Sequence, residues 1–372
     1  MSFFYHLFPP PRYIDFPVIG VDISDRSIKF VEFKNTRKGF RLKRFGKKKL
    51  DPGLITSGQI KEQDELATFL ASFFKPLGIR NIVAALPEER AFVSAIQLPK
   101  MESQNIREAI ELVLEEYIPL PAEEVIFDFE MLPAAGIRSR QTIITEQNPD
   151  HVDILVYAFP KVLVESYLGA YTDAGLVPIA FTMETQSLNR ALIPAGGTDT
   201  PVMIVDFGKT RTSFVIVSGE VVRFSSTVTI AGESLDRAIA GTLKVTPKEA
   251  ERIKKEKGMI KTKEDEAVFN AILPIVSAVA SEIERHRLFW NTHAEHIHKS
   301  SPEISGIILS GGDANLIGFK EYLSQQLKLP VTHGNPWVNV ASFEDYIPEI
   351  TSNESLEFST AIGLGLRALE GE

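Results

Sequence analysis

Residues 18–33 read VIGVDISDRSIKFVEF, and this stretch decides the fold. Its first part, Val18 to Ile23, is apolar and β-branched, which predicts a buried strand. Asp22 lies at the end of that strand, a tight turn follows at 24–26, and 27–33 alternate as a second strand. The result is a hairpin with a carboxylate and small polar residues at its tip. Backbone N–H groups and hydroxyls at such a tip can hold a phosphate, and the carboxylate can hold a metal ion through water.

A second hairpin of the same kind occurs later in the chain. Residues 203–217 read MIVDFGKTRTSFVIV, in which Asp206 ends an apolar strand, and Gly208, Thr210 and Thr212 precede a second strand. A single hairpin of this type is also an ordinary surface turn. Two copies in one chain, however, predict two similar halves that face one nucleotide.

A third stretch, residues 306–319, reads GIILSGGDANLIGF. It predicts a strand over 307–309 that ends in the small residues 310–312, followed by a helix that begins near Ala314 with Asp313 as its N-cap. Glycines at a strand-to-helix turn let the backbone approach a ligand closely, here the flat face of a base or a ribose. The stretch therefore predicts a nucleoside contact.

In this order the three stretches resemble the phosphate 1, phosphate 2 and adenosine motifs of the actin-like ATPase superfamily, which also contains heat-shock chaperones and sugar kinases. Within it the chain is most similar to the PilM family of type IV pilus assembly, a relative of the division protein FtsA, from about Phe16 to about Leu369. The resemblance implies an α/β fold of two ribonuclease H-like halves around a nucleotide cleft, with a small inserted α+β module of the SHS2 type.

The order of predicted elements, read with this resemblance, divides the chain. The inserted module is expected as strand, helix, strand, strand and helix, with the last helix over 161–172. The aromatic and proline-rich N-terminal extension is either a tail packed on the body or a short anchor for a partner or a membrane. The expected parts are the extension at 1–16, the first half at 17–91, 174–195 and 356–370, the inserted module at 92–173, and the second half with the adenosine site at 196–355.

The resemblance also implies a role for individual residues. Asp22 and Asp206 would hold Mg²⁺ through water, and Glu184 would position the water that attacks the γ-phosphate of ATP. The implied phosphate-binding residues are Ser24, Ser27, Lys29, Gly208, Lys209, Thr210 and Thr212. The implied adenosine-binding residues are Gly232, Glu233, Glu251, Lys254, Lys255, Ser310, Gly311, Gly312 and Asp313. ATP or ADP with Mg²⁺ is the expected cofactor.

Two of these roles have an alternative interpretation. Glu184 is followed by residues 185–187, TQS, where family members often carry proline and small residues. An acid at a helix N-terminus also complements the helix dipole without any catalytic role. Glu251 with Lys254 and Lys255 matches an adenosine-holding helix of the family, but it also matches a salt-bridged helix face. At most a slow Mg-dependent ATPase activity is expected.

Composition excludes several classes of function. The chain has 372 residues and a net charge of −9, which argues against a broad nucleic-acid surface. It has no cysteine, so disulfides and thiolate metal sites are excluded. The spacing H-x-x-H-x-H over 293–298 does not match a zinc-binding helix. No signal peptide is visible, and no apolar run reaches the ~18 residues of a transmembrane helix. We expect a cytoplasmic protein, attached to the inner membrane through a partner.

The resemblance implies which partner that is. In PilM-like proteins it is the short N-terminal tail of the inner-membrane protein PilN, which binds a groove between the inserted module and the body. The leading hypothesis is thus an ATP-binding assembly protein of the type IV pilus or of the related type II secretion machinery. One alternative is a filament-forming, self-associating protein like FtsA, although no C-terminal membrane helix is seen. The other is a sugar kinase, which would need a sugar pocket with a catalytic aspartate.

Overall fold

The computed structural model describes residues 17–36, 39–132, 151–293 and 303–370. The N-terminal extension and the last two histidines of the H-x-x-H-x-H run lie outside the described residues. The expectations for these segments therefore stay predictions.

The strands are β1 (Val18–Ser24), β2 (Ser27–Thr36), β3 (Gly39–Lys49), β4 (Ile55–Thr56), β5 (Gln59–Ile60), β6 (Asn81–Leu86), β7 (Phe92–Pro99), β8 (Val125–Met131), β9 (His151–Pro160), β10 (Val177–Met183), β11 (Thr198–Phe207), β12 (Thr212–Gly219), β13 (Val221–Val228), β14 (Ile307–Ser310) and β15 (Val331–His333). The α-helices are α1 (Gln63–Phe74), α2 (Ile106–Tyr117), α3 (Lys161–Asp173), α4 (Glu184–Leu192), α5 (Gly232–Leu243), α6 (Pro247–Lys257), α7 (Glu266–His293), α8 (Phe319–Leu327), α9 (Ser352–Glu357) and α10 (Ser359–Glu370).

Two five-stranded sheets share one topology. Their strand orders are β3-β2-β1-β6-β10 and β13-β12-β11-β14-β15. In each sheet the first three strands form an antiparallel meander, and the last two join in parallel. The inner parallel strands β6 and β14 are apolar runs, as expected for strands that are buried on both faces. The two similar halves predicted from the paired hairpins are therefore confirmed.

Helices α4 and α10 pack together between the two sheets. Leu188 of α4 and Ile362 of α10 are fully buried with Val31 of the first sheet and Val215 of the second. The helices approach closely because small residues face the contact: a Cβ added to Gly363 would lie 1.9 Å from the backbone oxygen of Ser187. This helix pair joins the halves and fixes the floor of the cleft between them.

The inserted module has a core of its own. Its three-stranded sheet, in the order β7-β9-β8, is covered on one face by α2. Ile110 and Leu114 of α2 pack there against Ile96, Ile154 and Val156 of the strands. The other face of the sheet turns toward the first half, where β9 contributes Leu155 and Tyr157 to the core of the body.

Helix α3 lies in the first half, although we predicted it within the module. Tyr167 and Tyr171 are 1% exposed and belong to the core under the first sheet. The Tyr167 hydroxyl also donates a hydrogen bond of 3.0 Å to the carbonyl of Gly58. Val162, on the opposite face, is 77% exposed. The same apolar stripe could have packed on either sheet, and only the tertiary contacts assign it to the body.

Helix α7 is long and apolar enough to cross a membrane by length and composition alone. We did not expect this from the continuous apolar runs, because polar residues interrupt the sequence. One face of the helix carries Ile272, Val276, Val279 and Ile283, which are all fully buried in the core of the second half. One apolar face of α7 is thus accounted for by packing in the second half.

The contact between α4 and α10 predicts a stability effect. Gly363→Ala would place a methyl group against backbone, so the helices must separate, and we expect unfolding to become easier by about 1–3 kcal/mol. Gly241→Ala is the matched control, because no atom lies within 4 Å of its added Cβ. The control should raise helix stability by about 0.5–1 kcal/mol. Urea unfolding followed by circular dichroism would compare the two; equal midpoints would contradict this view of the interface.

Candidate functional site

A cleft of about 440 Å³ between the two halves collects the three motifs. The β1–β2 turn and the β11–β12 turn line it from opposite halves, and the loop after β14 lines one side. The predicted site residues that line it are Asp22, Ser24, Ser27, Lys29, Glu184, Asp206, Gly208, Lys209, Thr210, Glu251, Lys255, Gly311, Gly312 and Asp313. The predicted residues outside this lining are Thr212, Gly232, Glu233, Lys254 and Ser310.

Two aspartates contribute buried charge to the cleft. Asp22 and Lys29 are 6% and 7% exposed, and Lys29 Nζ lies 3.0 Å from Asp22 Oδ2. Burial lowers the pKa of Lys29, but the Asp22 carboxylate outweighs it, so the pKa is raised overall. Burial raises the pKa of Asp206; a hydrogen bond from Ser310 opposes this rise and the charge of Asp22 adds to it. Two such carboxylates favour a further cation in the cleft.

The carboxylates fit a hydrated magnesium ion. Among the described residues there is no group of three or more His, Cys, Asp or Glu side chains that could hold a metal by themselves. Mg²⁺ commonly binds one or two carboxylates and completes its octahedron with waters and phosphate oxygens. Asp22 and Asp206 meet that requirement, whereas a metal that needs a closed set of protein ligands would not fit.

The tips of the two hairpins are closed by local hydrogen bonds. The Ser24 hydroxyl donates to the Ser27 carbonyl at 3.2 Å, and the Gly208 N–H donates to the Arg211 carbonyl at 3.0 Å. Thr212 differs from its predicted position, because it is fully buried and its hydroxyl donates to the carbonyl of Ile230 at 2.5 Å. Thr212 therefore ties β12 to the loop before α5 and does not face the cleft.

Lys254 also differs from its predicted position. It is 2% exposed and lies behind the wall of the cleft. Its ammonium group contacts Asp236 Oδ1 at 3.0 Å, the Gly232 carbonyl at 3.2 Å and the carboxylate of Asp313. Because these groups come from α5 and from the loop after β14, Lys254 joins these two elements behind the wall of the cleft. Asp313 is thus held by Lys254 and does not cap an α-helix.

Lys255, the neighbour of Lys254, lies on the accessible side. Its side chain is 69% exposed, lines the cleft and pairs with Glu251 at 2.8 Å. That hydrogen bond, with the nearby charge of Lys209, lowers the pKa of Glu251 to about 2. Lys209 in turn bonds Asp236 Oδ2 at 2.6 Å. The two lysines that the sequence placed together thus have separate environments.

The loop after β14 is not a helix at the position we predicted. Residues 312–315 form a short 3₁₀ turn, and the α-helix begins at Phe319, with Gly318 at its N-cap. Gly311 has a φ of +89°, and an added Cβ would lie 2.4 Å from the carbonyl of Phe207. A glycine is required there, because the loop crosses directly over the end of β11.

Glu184 is the first residue of α4 and is 7% exposed. Arg211 Nη2 lies 2.5 Å from its Oε1, and Arg211 Nη1 lies 3.0 Å from Glu89 Oε1. Burial raises the pKa of Glu184, while the Arg211 guanidinium opposes that rise. Sequence reasoning missed Arg211, although an arginine at the tip of a phosphate-binding hairpin is a signal by itself. Glu184 therefore faces the cleft as part of a buried ion pair.

Ion pairs connect the halves at the rim of the cleft. Arg26 of the first hairpin contacts Glu233 of α5 at 2.6 Å, and Lys47 of β3 contacts Glu357 of α9 at 2.5 Å. All four side chains are partly exposed. Glu233 thus lies in a bridge across the cleft. Partly exposed pairs of this kind contribute little free energy, about 0–1 kcal/mol each, so they can open for a ligand.

A second cavity of about 360 Å³ lies between the inserted module and the second half. We call it the β7–β13 groove, because β7 and β13 are edge strands of their sheets and line its sides. Its lining includes Val93 and Ser94 of β7, Ser226 of β13, and the pair Glu88 and Glu89. Sequence reasoning expected a groove beside the module but named none of these residues.

Comparison with known proteins identifies the family. The sequence matches the family described as "Type IV pilus assembly protein PilM" over residues 20–369. A chain in a solved structure titled "PilM-PilN type IV pilus biogenesis complex" is 26% identical and superposes with a TM-score of 0.76; the alignment covers 96% of this chain and 99% of that one.

A more distant structure supports the fold alone. The ethanolamine utilization protein EutJ from Carboxydothermus hydrogenoformans is 14% identical, with a TM-score of 0.54 over 96% of this chain and 90% of that one. The family match spans both hairpins, the inserted module and the loop after β14, and the repeated sheets have the actin-like topology. The chain belongs to the PilM family of actin-like type IV pilus assembly proteins.

Proposed function

We propose that this protein binds ATP with Mg²⁺ in the cleft between its halves and links pilus assembly to an inner-membrane protein resembling PilN. The observation that carries the proposal is the pair of aspartate-tipped hairpins that line one cleft from opposite halves. A triphosphate with a divalent ion needs this combination of carboxylates, hydroxyls and free amide groups. The family match weighs against a sugar kinase or an FtsA-like filament.

Each hairpin would hold one side of the phosphate chain. Ser24, Ser27 and Lys29 would bind it from the first half, and the loop of residues 208–210 from the second. Asp22 and Asp206 would hold Mg²⁺ through water. Bound Mg²⁺ neutralises charge on the phosphate oxygens. The residues 311–313 and Lys255 would face the nucleoside, supported from behind by Lys254.

Hydrolysis, where it occurs, would use Glu184 to orient the attacking water. A carboxylate has about four acceptor sites on its two oxygens, and that water must find one that is not taken by another donor. Arg211 already occupies Oε1 of Glu184. The same contact supports a slow ATPase, because Arg211 competes with water for the carboxylate.

The β7–β13 groove is the proposed docking site for the partner. An edge strand presents unpaired backbone N–H and C=O groups, to which an extended peptide can add as a further strand. The groove offers two such edges, and Glu88 and Glu89 make one part of it acidic. The cytoplasmic tail of a PilN-like protein would bind there. The protein would then stay in the cytoplasm and reach the membrane through this partner.

The metal site gives the first prediction for the cleft. Asp206→Asn keeps the size of the side chain but removes one charge, and we expect the affinity for ATP in the presence of Mg²⁺ to fall about tenfold or more. Asp128→Asn is the control, because Asp128 lies in the module with a side chain that is 86% exposed. Calorimetry with Mg²⁺ and with EDTA would measure both. An unchanged Mg-dependent affinity in Asp206→Asn would contradict the assignment.

Substitutions of the two neighbouring lysines should have different effects, one on stability and the other on nucleotide binding. Lys254→Met leaves buried carboxylates without their cation, so we expect a loss of stability of about 3–5 kcal/mol. Lys255→Met should leave the melting temperature unchanged. It should lower the affinity for ATP and for ADP by similar factors, because the side chain would face the nucleoside that both nucleotides share. Thermal melting and nucleotide titration would test the pair. A loss for Lys255→Met that is confined to ATP would place this lysine near the γ-phosphate instead.

The groove can be tested without removing the module. Replacing 92–173 by a linker would also remove α3 from the core of the body, so a point substitution is preferable. Ser226→Tyr would fill the groove, and we expect it to abolish binding of a PilN-like tail peptide while nucleotide binding remains. Ser103→Tyr, on an exposed part of the module, is the control. Fluorescence anisotropy with a labelled peptide would decide; undiminished binding in Ser226→Tyr would place the partner elsewhere.

A further inference from the structure

Two adjacent glutamates connect the β7–β13 groove to the start of α4 and to Arg211 of the cleft. Both Glu88 and Glu89 line the groove. Glu88 Oε2 accepts a hydrogen bond of 3.0 Å from the hydroxyl of Thr185, and Glu89 Oε1 accepts one of 3.0 Å from Arg211, whose other nitrogen bonds Glu184. Since Thr185 follows Glu184 on α4, the wall that separates the groove from the cleft is one side chain thick.

The Glu89 carboxylate is only half satisfied. Its Oε1 bonds Arg211, but its Oε2 is buried and has no hydrogen-bond partner among the described residues. A buried carboxylate oxygen without a donor is unfavourable, because no hydrogen bond replaces its lost hydration. Glu88 differs in this respect, because Ser225 donates to its Oε1 and Thr185 to its Oε2. Glu89 Oε2 is therefore a buried acceptor beside the groove that has no donor among the described residues.

We propose that Arg211 is a positioning residue that couples occupancy of the groove to nucleotide binding, through the relay Glu89–Arg211–Glu184. The occupant that operates it is a peptide whose ammonium or guanidinium group draws the Glu89 carboxylate toward the groove and pairs with it. This inference rests on the proposed function, since it needs a nucleotide in the cleft and a peptide in the groove.

The sign of the coupling follows from the charges. The Arg211 guanidinium is shared by two carboxylates. A peptide cation that pairs with Glu89 therefore weakens the ion pair between Glu89 and Arg211. Arg211 also lines the cleft. A guanidinium released toward phosphate oxygens forms strong, charge-assisted hydrogen bonds. Conversely, a nucleotide that draws Arg211 away leaves Glu89 without its cation, and this favours binding of the peptide. The two ligands should therefore strengthen each other equally, as linkage requires.

The test measures the affinity for a non-hydrolysable ATP analogue with Mg²⁺, with and without a saturating peptide. The peptide probe covers the cytoplasmic N-terminal segment of the PilN-like protein encoded in the same genome. For the unmodified protein we expect the analogue to bind about tenfold more tightly when the peptide is present. A second peptide with its basic residues replaced by norleucine should lose this enhancement.

Variants of the relay separate coupling from simple damage. In Glu89→Gln the peptide cation has no carboxylate, and in Arg211→Lys the planar fork of guanidinium nitrogens that reaches Glu89 and Glu184 together is lost. Both should reduce the enhancement to about twofold or less, measured against the affinity of the same variant for the analogue without peptide. Glu111→Gln, an exposed acid of α2, is the matched control and should keep the full enhancement. Melting temperatures would show whether each variant remains folded.

The outcomes distinguish the two proposals. If the unmodified protein binds both ligands but the analogue binds equally well with and without the peptide, the relay is wrong and the proposed function stands. If Glu89→Gln keeps the full enhancement, coupling runs by another route and the relay is also wrong. If the unmodified protein fails to bind the analogue or the peptide, the proposed function is wrong, and the relay, which depends on it, is wrong as well.

Discussion

Buried negative charge around one cleft is the constraint on which the rest of this structure depends. Each half brings an aspartate to the cleft, and buried carboxylates of like charge are unfavourable unless cations lie beside them. Lys29 pairs with Asp22, Arg211 pairs with Glu184, and Lys254 lies between Asp236 and Asp313. Because these pairs join different elements, they also fix how the turns and helices around the cleft are placed.

The repeated topology explains how such a cleft arises. Two sheets with the same strand order place equivalent hairpins at equivalent ends, so joining the halves brings the tips to opposite sides of one cleft. The joint is made by α4 and α10, which carry small residues where their backbones meet. Glu184 begins α4, so the helix that holds the halves together also carries the candidate acid. Closure of the halves and the position of this acid are thereby linked.

The inserted module adds a second site without disturbing the first. Its sheet packs on the body through β9, and its edge strand β7 leaves a groove opposite β13. Glu88 and Glu89, at the entrance to the module, line the groove, and Glu89 also bonds Arg211, which lines the cleft. A partner and a nucleotide could therefore influence each other over a single shell of side chains.

The sequence by itself determined the two hairpins, the duplicated halves, the family and most of the residues that line the cleft. Strand patterns and turn residues depend on neighbours a few positions away, so they can be read along the chain. Only the tertiary structure decided that α3 belongs to the body, that Lys254 is enclosed while Lys255 is open, and that Arg211 bridges Glu89 and Glu184. These contacts join residues as far as 122 positions apart. An apolar stripe or a charged side chain has several acceptable partners, and only packing selects one of them.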